Sequence, residues 1–370
     1  MDLIYIHYTD FPTDSAHGHQ IIQTCNALEA IGHRVTLVCA GDADAFASSH
    51  ELGLGCRTVN SPFRVSPSRP DRVIYYLTGL RVATESDVIY TRDVRFLKFL
   101  SLIRPLVRGL PPIVYEAHKA HHQVERMSRE QERRYIEVAD AVVTQSAGTC
   151  EDLEAIGVSV RAVIPNAAAR EFVPTASKEE LRSKLELHSE DAIFVYAGTF
   201  DDTKADLELV LEGLGTVRKS HDVRGVFIGG TDQQVRDLRH HATQHGLSEQ
   251  HVSFIGRISH KNVFPYLKAS DFGIVPLRQS TQEWRKYTSP LKLYEYLVSG
   301  LRVIAANVEA MEAERDRLEG VYTYEAESVD SFVDCCTMLL ESEATEVGSL
   351  GYDYSDRAAD ITKVISAVVE

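Results

Sequence analysis

What most limits the folds open to this chain is an alternation. Short apolar runs of strand length are each followed by a longer stretch with helical spacing. In the first half the runs are LIYIHY (3–8), VTLVCA (35–40), VIYTR (88–92), PIVYEA (112–117), AVVTQS (141–146) and AVIPN (162–166). Between the first two lies HQIIQTCNALEAIG, where Ile21, Ile22, Cys25, Leu28 and Ile31 form one stripe before Gly32. A strand that returns to its own sheet through a helix runs parallel to the strand it left, so the pattern predicts a doubly wound parallel sheet. After a polar, charged stretch around 167–190 the pattern restarts. Its runs are then AIFVYAG (192–198), GVFIGG (225–230), VSFIG (252–256), DFGIVPL (271–277), LRVIAAN (301–307) and GVYTY (320–324). Two α/β Rossmann-like domains in tandem are expected, 1–166 and 167–351, and 370 residues suffice for each to hold its own core.

Composition removes several function classes. The formal charge of −15 argues against nucleic acid as a partner, because nonspecific binding of that kind needs a basic surface. The six cysteines are scattered without C-x-x-C spacing, which indicates neither a zinc site nor a disulfide framework. No apolar run approaches membrane-spanning length, and MDLIYIHYTD lacks a basic region followed by an apolar signal core, so the chain is expected in the cytoplasm. The segment after the first strand, TDFPTDSAHGHQ, is not the G-x-G-x-x-G of a dinucleotide fold, which counts against a nicotinamide or flavin cofactor. Asp42, Ala43 and Asp44 in a polar loop read as a solvated turn, and His118, His121 and His122 lack the setting of a metal motif, so no metal and no cofactor are expected.

In parallel sheets ligands bind beyond the carboxyl ends of strands, with the cleft between two such domains as the default site. Residues just after strands are therefore the candidates. Gly18 opens a helix, either as an ordinary turn glycine or to let backbone approach an anion. His118 ends a strand. Lys204 stands where a loop enters a helix carrying Leu207, Val210, Leu211 and Leu214, and is either a solvated lysine or a partner for diphosphate. In YTSPLKLYEYLVSG (287–300), Ser289 reads as an N-cap and Pro290 as the first helical residue. Lys292 and Glu295 could be a surface pair of about 0.2–0.5 kcal/mol, or the helix start could hold an anion with the carboxylate one turn deeper on sugar hydroxyls. The stretch 95–110 mixes Arg95, Lys98, Arg104 and Arg108 with Phe96, Phe99, Leu100, Ile103 and Val107, as a core helix or an interfacial one would.

Taken together these elements resemble glycosyltransferase family four, the two-domain GT-B sugar-nucleotide transferases. The sharpest likeness is SPLKLYEYLVSGLRVIAAN (289–307); VIPNA (163–167), VSFIGRISHKNVFPYLKASDFGIVPL (252–277), GHRVTLVCA (32–40) and VYEAH (114–118) add to it. The resemblance implies that two Rossmann-like domains face an interdomain cleft and that the last helix, 352–370, crosses back onto the first domain. It also implies that Glu295 binds the donor ribose and that Leu291 and Lys292 present backbone N–H groups to the diphosphate, at a helix start formed by Ser289 and Pro290. Lys204 would contact the phosphates, Gly18 would lie under the transferring sugar, and His118 near the reacting centre. Gly198 and Thr199 stand where the family has a glycine followed by arginine, and Tyr287 replaces the first glutamate of its E-x7-E pair. The implied activity is retaining, metal-independent transfer from a nucleoside-diphosphate sugar to a glycan or lipid-linked acceptor; peripheral contact at the inner membrane face follows only if 95–110 is the interfacial helix and not the core one. The rival reading is a catalytically degenerate sugar-nucleotide or glycan-binding protein of the same fold.

Overall fold

The computed structural model describes residues 1–13, 16–49, 52–62, 69–104, 109–187, 190–343 and 351–370. The chain divides into two compact units, Met1–Asn166 with Tyr354–Glu370, and Ala167–Asp353. In the first, strands β1 (Asp2–Phe11), β2 (Arg34–Gly41), β3 (Arg57–Asn60), β4 (Val88–Thr91), β5 (Ile113–Ala117), β6 (Ala141–Thr144) and β7 (Ala162–Val163) form one parallel sheet in the order β3-β2-β1-β4-β5-β6-β7. In the second, β8 (Ala192–Ala197), β9 (Val223–Ile228), β10 (Val252–Ile255), β11 (Phe272–Val275), β12 (Arg302–Ala306) and β13 (Val321–Tyr324) are ordered β10-β9-β8-β11-β12-β13. These are two doubly wound Rossmann-like sheets. Strand order reverses between β1 and β4 in one and between β8 and β11 in the other, and such a reversal leaves a crevice outside the strands' carboxyl ends.

The apolar stripe of the helix Ala16–Ala30 packs as its spacing requires. Ile21, Ile22, Cys25 and Leu28 enter a core with Leu3, Tyr5, Val35 and Leu37 from the sheet and with Ala358, Ile361 and Ile365 from the last helix, Tyr354–Val369. Full burial of an Ile or Leu side chain stabilises by roughly 1.5–3 kcal/mol, so this shared stripe anchors the last helix to the first sheet. Ile31 lies beyond the helix end and is exposed, outside the predicted stripe. The strand β3 went unread because it is short and only half-buried, without the apolar run of its neighbours. Asp42 accepts a hydrogen bond from the Ala45 N–H at 2.8 Å at the start of the helix Ala43–Ser49, so the D-A-D segment opens a helix, not a solvated turn.

The described part of 95–110 packs as the core reading expects, although Leu102 on the same helix is 66% exposed. In Val94–Ile103, Phe96, Leu97 and Leu100 are wholly buried, Lys98 lies over the Tyr135 ring, and Arg104 donates to the Val138 carbonyl. The face carrying Val94, Phe96, Leu97 and Leu100 is used inside the unit. Val107 and Arg108 lie outside the described residues. Among the described residues no helix is long and apolar enough to cross a membrane.

Candidate functional site

The helix Leu291–Val298 lies between β11 and β12. It is buried on most sides through Leu293, Tyr294, Glu295, Tyr296, Leu297 and Val298, and ends at Gly300 in the left-handed conformation. The Ala197 N–H, at the end of β8, donates to Tyr296 Oη at 2.9 Å and ties the helix to the strand end. The start differs from expectation. Pro290, with extended backbone, occupies the N-cap position, and no side chain caps the helix. Ser289 is not the cap because its hydroxyl turns inward to Tyr294 Oη at 3.2 Å, where Tyr294 also donates to Glu314 at 2.8 Å. The first-turn N–H groups of Leu291 and Lys292 therefore meet no capping oxygen, and the positive end of the helix dipole is open to an anion.

Lys292 adds a charge at that opening. Its Nζ lies 3.8 Å from the Tyr196 ring centroid, and Tyr196 Oη donates to the Thr199 carbonyl at 2.8 Å. A Cβ on Gly198 would sit 2.8 Å from Lys292 Nζ, so the absence of a side chain there makes room for the ammonium against the strand-end loop. No carboxylate forms an ion pair with Lys292 among the described residues. Burial pushes its ammonium down to about 7, with Glu295 pulling the other way. The pairing of Lys292 with Glu295 as a surface salt bridge is thus not what forms. Glu295 is only 8% exposed, and its Oε1 accepts from His260 Nε2 at 2.6 Å. Burial disfavours the His260 imidazolium, but the charge and hydrogen bond of Glu295 outweigh it and raise the ring. Rotamer freedom at Glu295 is lost to that bond, which presets the carboxylate near the helix start.

Lys204 engages a different set of groups. It stands in the turn before the helix Leu207–Val217, which Asp206 caps, so it is not a helix residue. Its ammonium lies 3.3 Å from Asp201 and 4.6 Å from the centroid of Trp284, in the short π-helix Glu283–Tyr287. Tyr287 is buried at 2% exposure and its hydroxyl accepts from Gln282 at 3.2 Å. Arg285 is drawn to Glu309 at 3.5 Å.

In the first unit the strand ends gather a second group. Ile6 pairs with Thr91 and Thr91 with Tyr115, so His7 in β1, Arg92 just past β4 and Glu116 in β5 come at the next position. Arg92 Nη2 donates to His118 Nδ1 at 2.9 Å, and His118 Nε2 donates to Glu116 Oε1 at 2.6 Å. That chain of donors fixes the neutral ring. Burial, and then Arg92, hold His118 down to about 4. Glu116 is wholly buried; burial works against its charge, yet Arg357 and His118 bring it well below the usual carboxylate range. Arg357 donates to Glu116 Oε1 at 2.6 Å and to the carbonyls of Ile164 and Pro165, and the Tyr90 hydroxyl also donates to Glu116. Gly18 lies in the helix Ala16–Ala30, and the space a side chain there would fill is already taken. Thr13 Cγ2 stands 2.3 Å from where a Cβ would be, and Phe46 lies beside it. His121 and His122 are bound by Glu132, whose oxygens accept from both backbone N–H groups at 2.7 Å. Among the described residues no cluster of His, Cys, Asp or Glu is arranged to hold a metal ion.

Sequence reasoning missed His260, Arg92, Glu116 and Arg357. His260 opens a helix soon after β10, and Arg92 ends the VIYTR run, so both carried the strand-end signal used for His118. Glu116 and Arg357 gave none, since an acid in a strand and an arginine in an amphipathic helix are read as solvated.

Residues 18–171 match the model of glycosyltransferase family 4, and residues 191–342 that of the group 1 glycosyl transferases. A search of curated proteins found no match. Among solved structures the chain is similar to sucrose-phosphate synthase from Thermosynechococcus elongatus, with a TM-score of 0.73 and 15% identity over 99% of this chain and 98% of that one. It is also similar to Anabaena HepE in complex with UDP, with a TM-score of 0.72 and 15% identity over 99% of this chain and 100% of that one. At such identities the likeness shows the fold, that of the GT-B glycosyltransferases.

Proposed function

This chain belongs to the family 4 glycosyltransferases, and on that footing we propose that it moves a sugar from a nucleoside-diphosphate donor to an acceptor hydroxyl, with retention of configuration and without a metal ion. The observation that carries the donor reading is the uncapped start of Leu291–Val298, with Lys292 beside it and Glu295 braced by His260. Anabaena HepE has been solved in complex with UDP-glucose, which makes a uridine donor the first to try. In this reading the Leu291 and Lys292 N–H groups and the Lys292 ammonium hold the diphosphate, with Gly198 and Thr199 in the adjoining loop, and Glu295 accepts from the ribose hydroxyls.

The bond from the anomeric carbon to the diphosphate oxygen breaks, and its electron pair leaves with that oxygen. Charge then builds on the phosphate, where a preset dipole and ammonium stabilise the transition state more than the ground state. The acceptor oxygen bonds to the anomeric carbon on the face the phosphate leaves, and its proton passes to a phosphate oxygen. Lys204 joins only if it turns from Asp201 and Trp284. In the first unit His118 is held neutral, and the acceptor in this reading is a glycan or a lipid-linked hydroxyl. Buried Tyr287, in place of a carboxylate, favours a second reading in which donor binds without transfer. Thermal melting with a panel of nucleoside-diphosphate sugars tests binding, since saturation at a hundredfold Kd adds about 2.7 kcal/mol. Release of nucleoside diphosphate separates transfer from binding; a panel with neither effect overturns both readings.

A further inference from the structure

Arg92 is a half-buried guanidinium at the strand reversal of the first sheet, and the acids around it are committed elsewhere. Glu116 is matched by Arg357 and Tyr90, and Asp93 accepts from Tyr76 at 2.6 Å and from the Arg95 N–H at 2.9 Å. Asp10, whose Oδ1 is also buried without a hydrogen-bond partner, lies farther along β1, beside Gly41 of β2. Among the described residues Arg92 forms no ion pair, and its guanidinium donates to His118, a neutral acceptor. Its Nε is buried without a hydrogen-bond partner, as is Nδ1 of His7, the next residue of the neighbouring strand. The His17 ring stands 5.9 Å from that of His7, edge to face. The imidazoles of His118, His7 and His17 thus share the field of Arg92, whose charge also favours the Glu116 carboxylate but forms no ion pair with it. An unmade hydrogen bond at a buried donor is costly, and Arg92 Nε carries one beside a charge with no ion-pair partner, so the group suits a ligand that supplies both acceptor and charge.

We propose that Arg92, with His7 and His17, forms a subsite for an oxyanion, a phosphate or carboxylate, carried by the acceptor. The fork of a guanidinium suits the paired oxygens of either group. The histidines fit the same purpose. Burial, then Arg92, lowers His7 well below its ordinary value and His17 to about 4, so both are neutral donors or acceptors until an anion arrives. Calling the ligand an acceptor rests on the glycosyltransferase reading; binding of the oxyanion does not, so the test runs without donor.

Calorimetric titration would compare glucose 6-phosphate, glucuronate and glucose, with imidazole NMR signals of His7 and His17 followed in parallel. The expected result is binding of an oxyanion-bearing sugar at least about tenfold tighter than glucose, with both imidazoles shifted. Arg92→Gln should abolish the preference with little change in melting temperature, and Arg92→Lys should restore part of it. Vesicles containing phosphatidic acid, against phosphatidylcholine alone, identify the source: an Arg92-dependent preference confined to vesicles places the oxyanion on a lipid, and one confined to the sugars places it on a soluble acceptor. Equal binding of charged and neutral ligands overturns the subsite. So does a preference that survives Arg92→Gln and is lost in Lys292→Ala, which would put the anion in the second unit. Failure of all donors to bind, with Arg92-dependent anion binding intact, would overturn the donor reading alone.

Discussion

Removing water from an ammonium that forms no ion pair favours the neutral amine, and at Lys292 burial outweighs the opposing pull of Glu295. The unfolded chain keeps this proton up to about 10.5, the folded one sheds it near 7, so the group's effect on stability rises with pH between those values. A bound diphosphate favours the ammonium and reverses the shift. UDP should therefore bind with proton uptake above about pH 7, and its affinity should weaken as pH climbs. Calorimetry in two buffers of different ionisation enthalpy reads this uptake, and Lys292→Met should remove it. His260 carries the opposite sign, since its raised value adds stability below its unfolded pKa that is lost as pH rises through the folded one. Glu295→Ala should cost on the order of 1.5–3 kcal/mol in donor use, a tenfold fall or more in kcat/KM, by leaving ribose hydroxyls unpaired. Near-normal kinetics in a folded variant would reduce Glu295 to the structural partner of His260.

At the scale of elements, the last helix matters through one side chain. Arg357 reaches Glu116, 241 residues away in sequence, inside the first unit's core. Burial opposes the Glu116 charge, but its partners depress its pKa, so the stability it adds is present above the unfolded value and lost as pH falls through the folded one. Arg357→Met strands a buried carboxylate and should cost about 3–5 kcal/mol. Adding Glu116→Gln should recover much of that, and denaturant midpoints of the single and double variants measure both. Such a pair could not be read beforehand, because the residues that meet share no local period. The alternation of strands and helices was legible because burial on both sheet faces imposes it residue by residue. The helix at 290 was legible too, but its cap was not: the Ser289 hydroxyl had a buried tyrosine to satisfy, a demand set by tertiary packing. The basic, apolar helix Val94–Ile103 shows the same limit, since amphipathicity alone does not say whether protein or lipid covers its face.

Across the whole molecule, two sheets of different strand number place their polar groups at the same topological point. The first has His7 and Arg92 where β1 and β4 part, the second Gly198 at the end of β8, met there by Lys292. Each unit places a basic side chain at that point in a chain of net charge −15, so attraction for anions is local and not a property of the surface at large. Neither point relies on a metal ion in the proposed chemistry, because the helix dipole and Lys292 face the charge that develops on the leaving phosphate. The measurement that bears most directly on this account is the anomeric configuration, by NMR, of the product formed from the best-binding donor in the presence of EDTA. The account predicts undiminished transfer with the donor's configuration retained. An inverted linkage, or transfer abolished by EDTA and restored by a divalent ion, would contradict it.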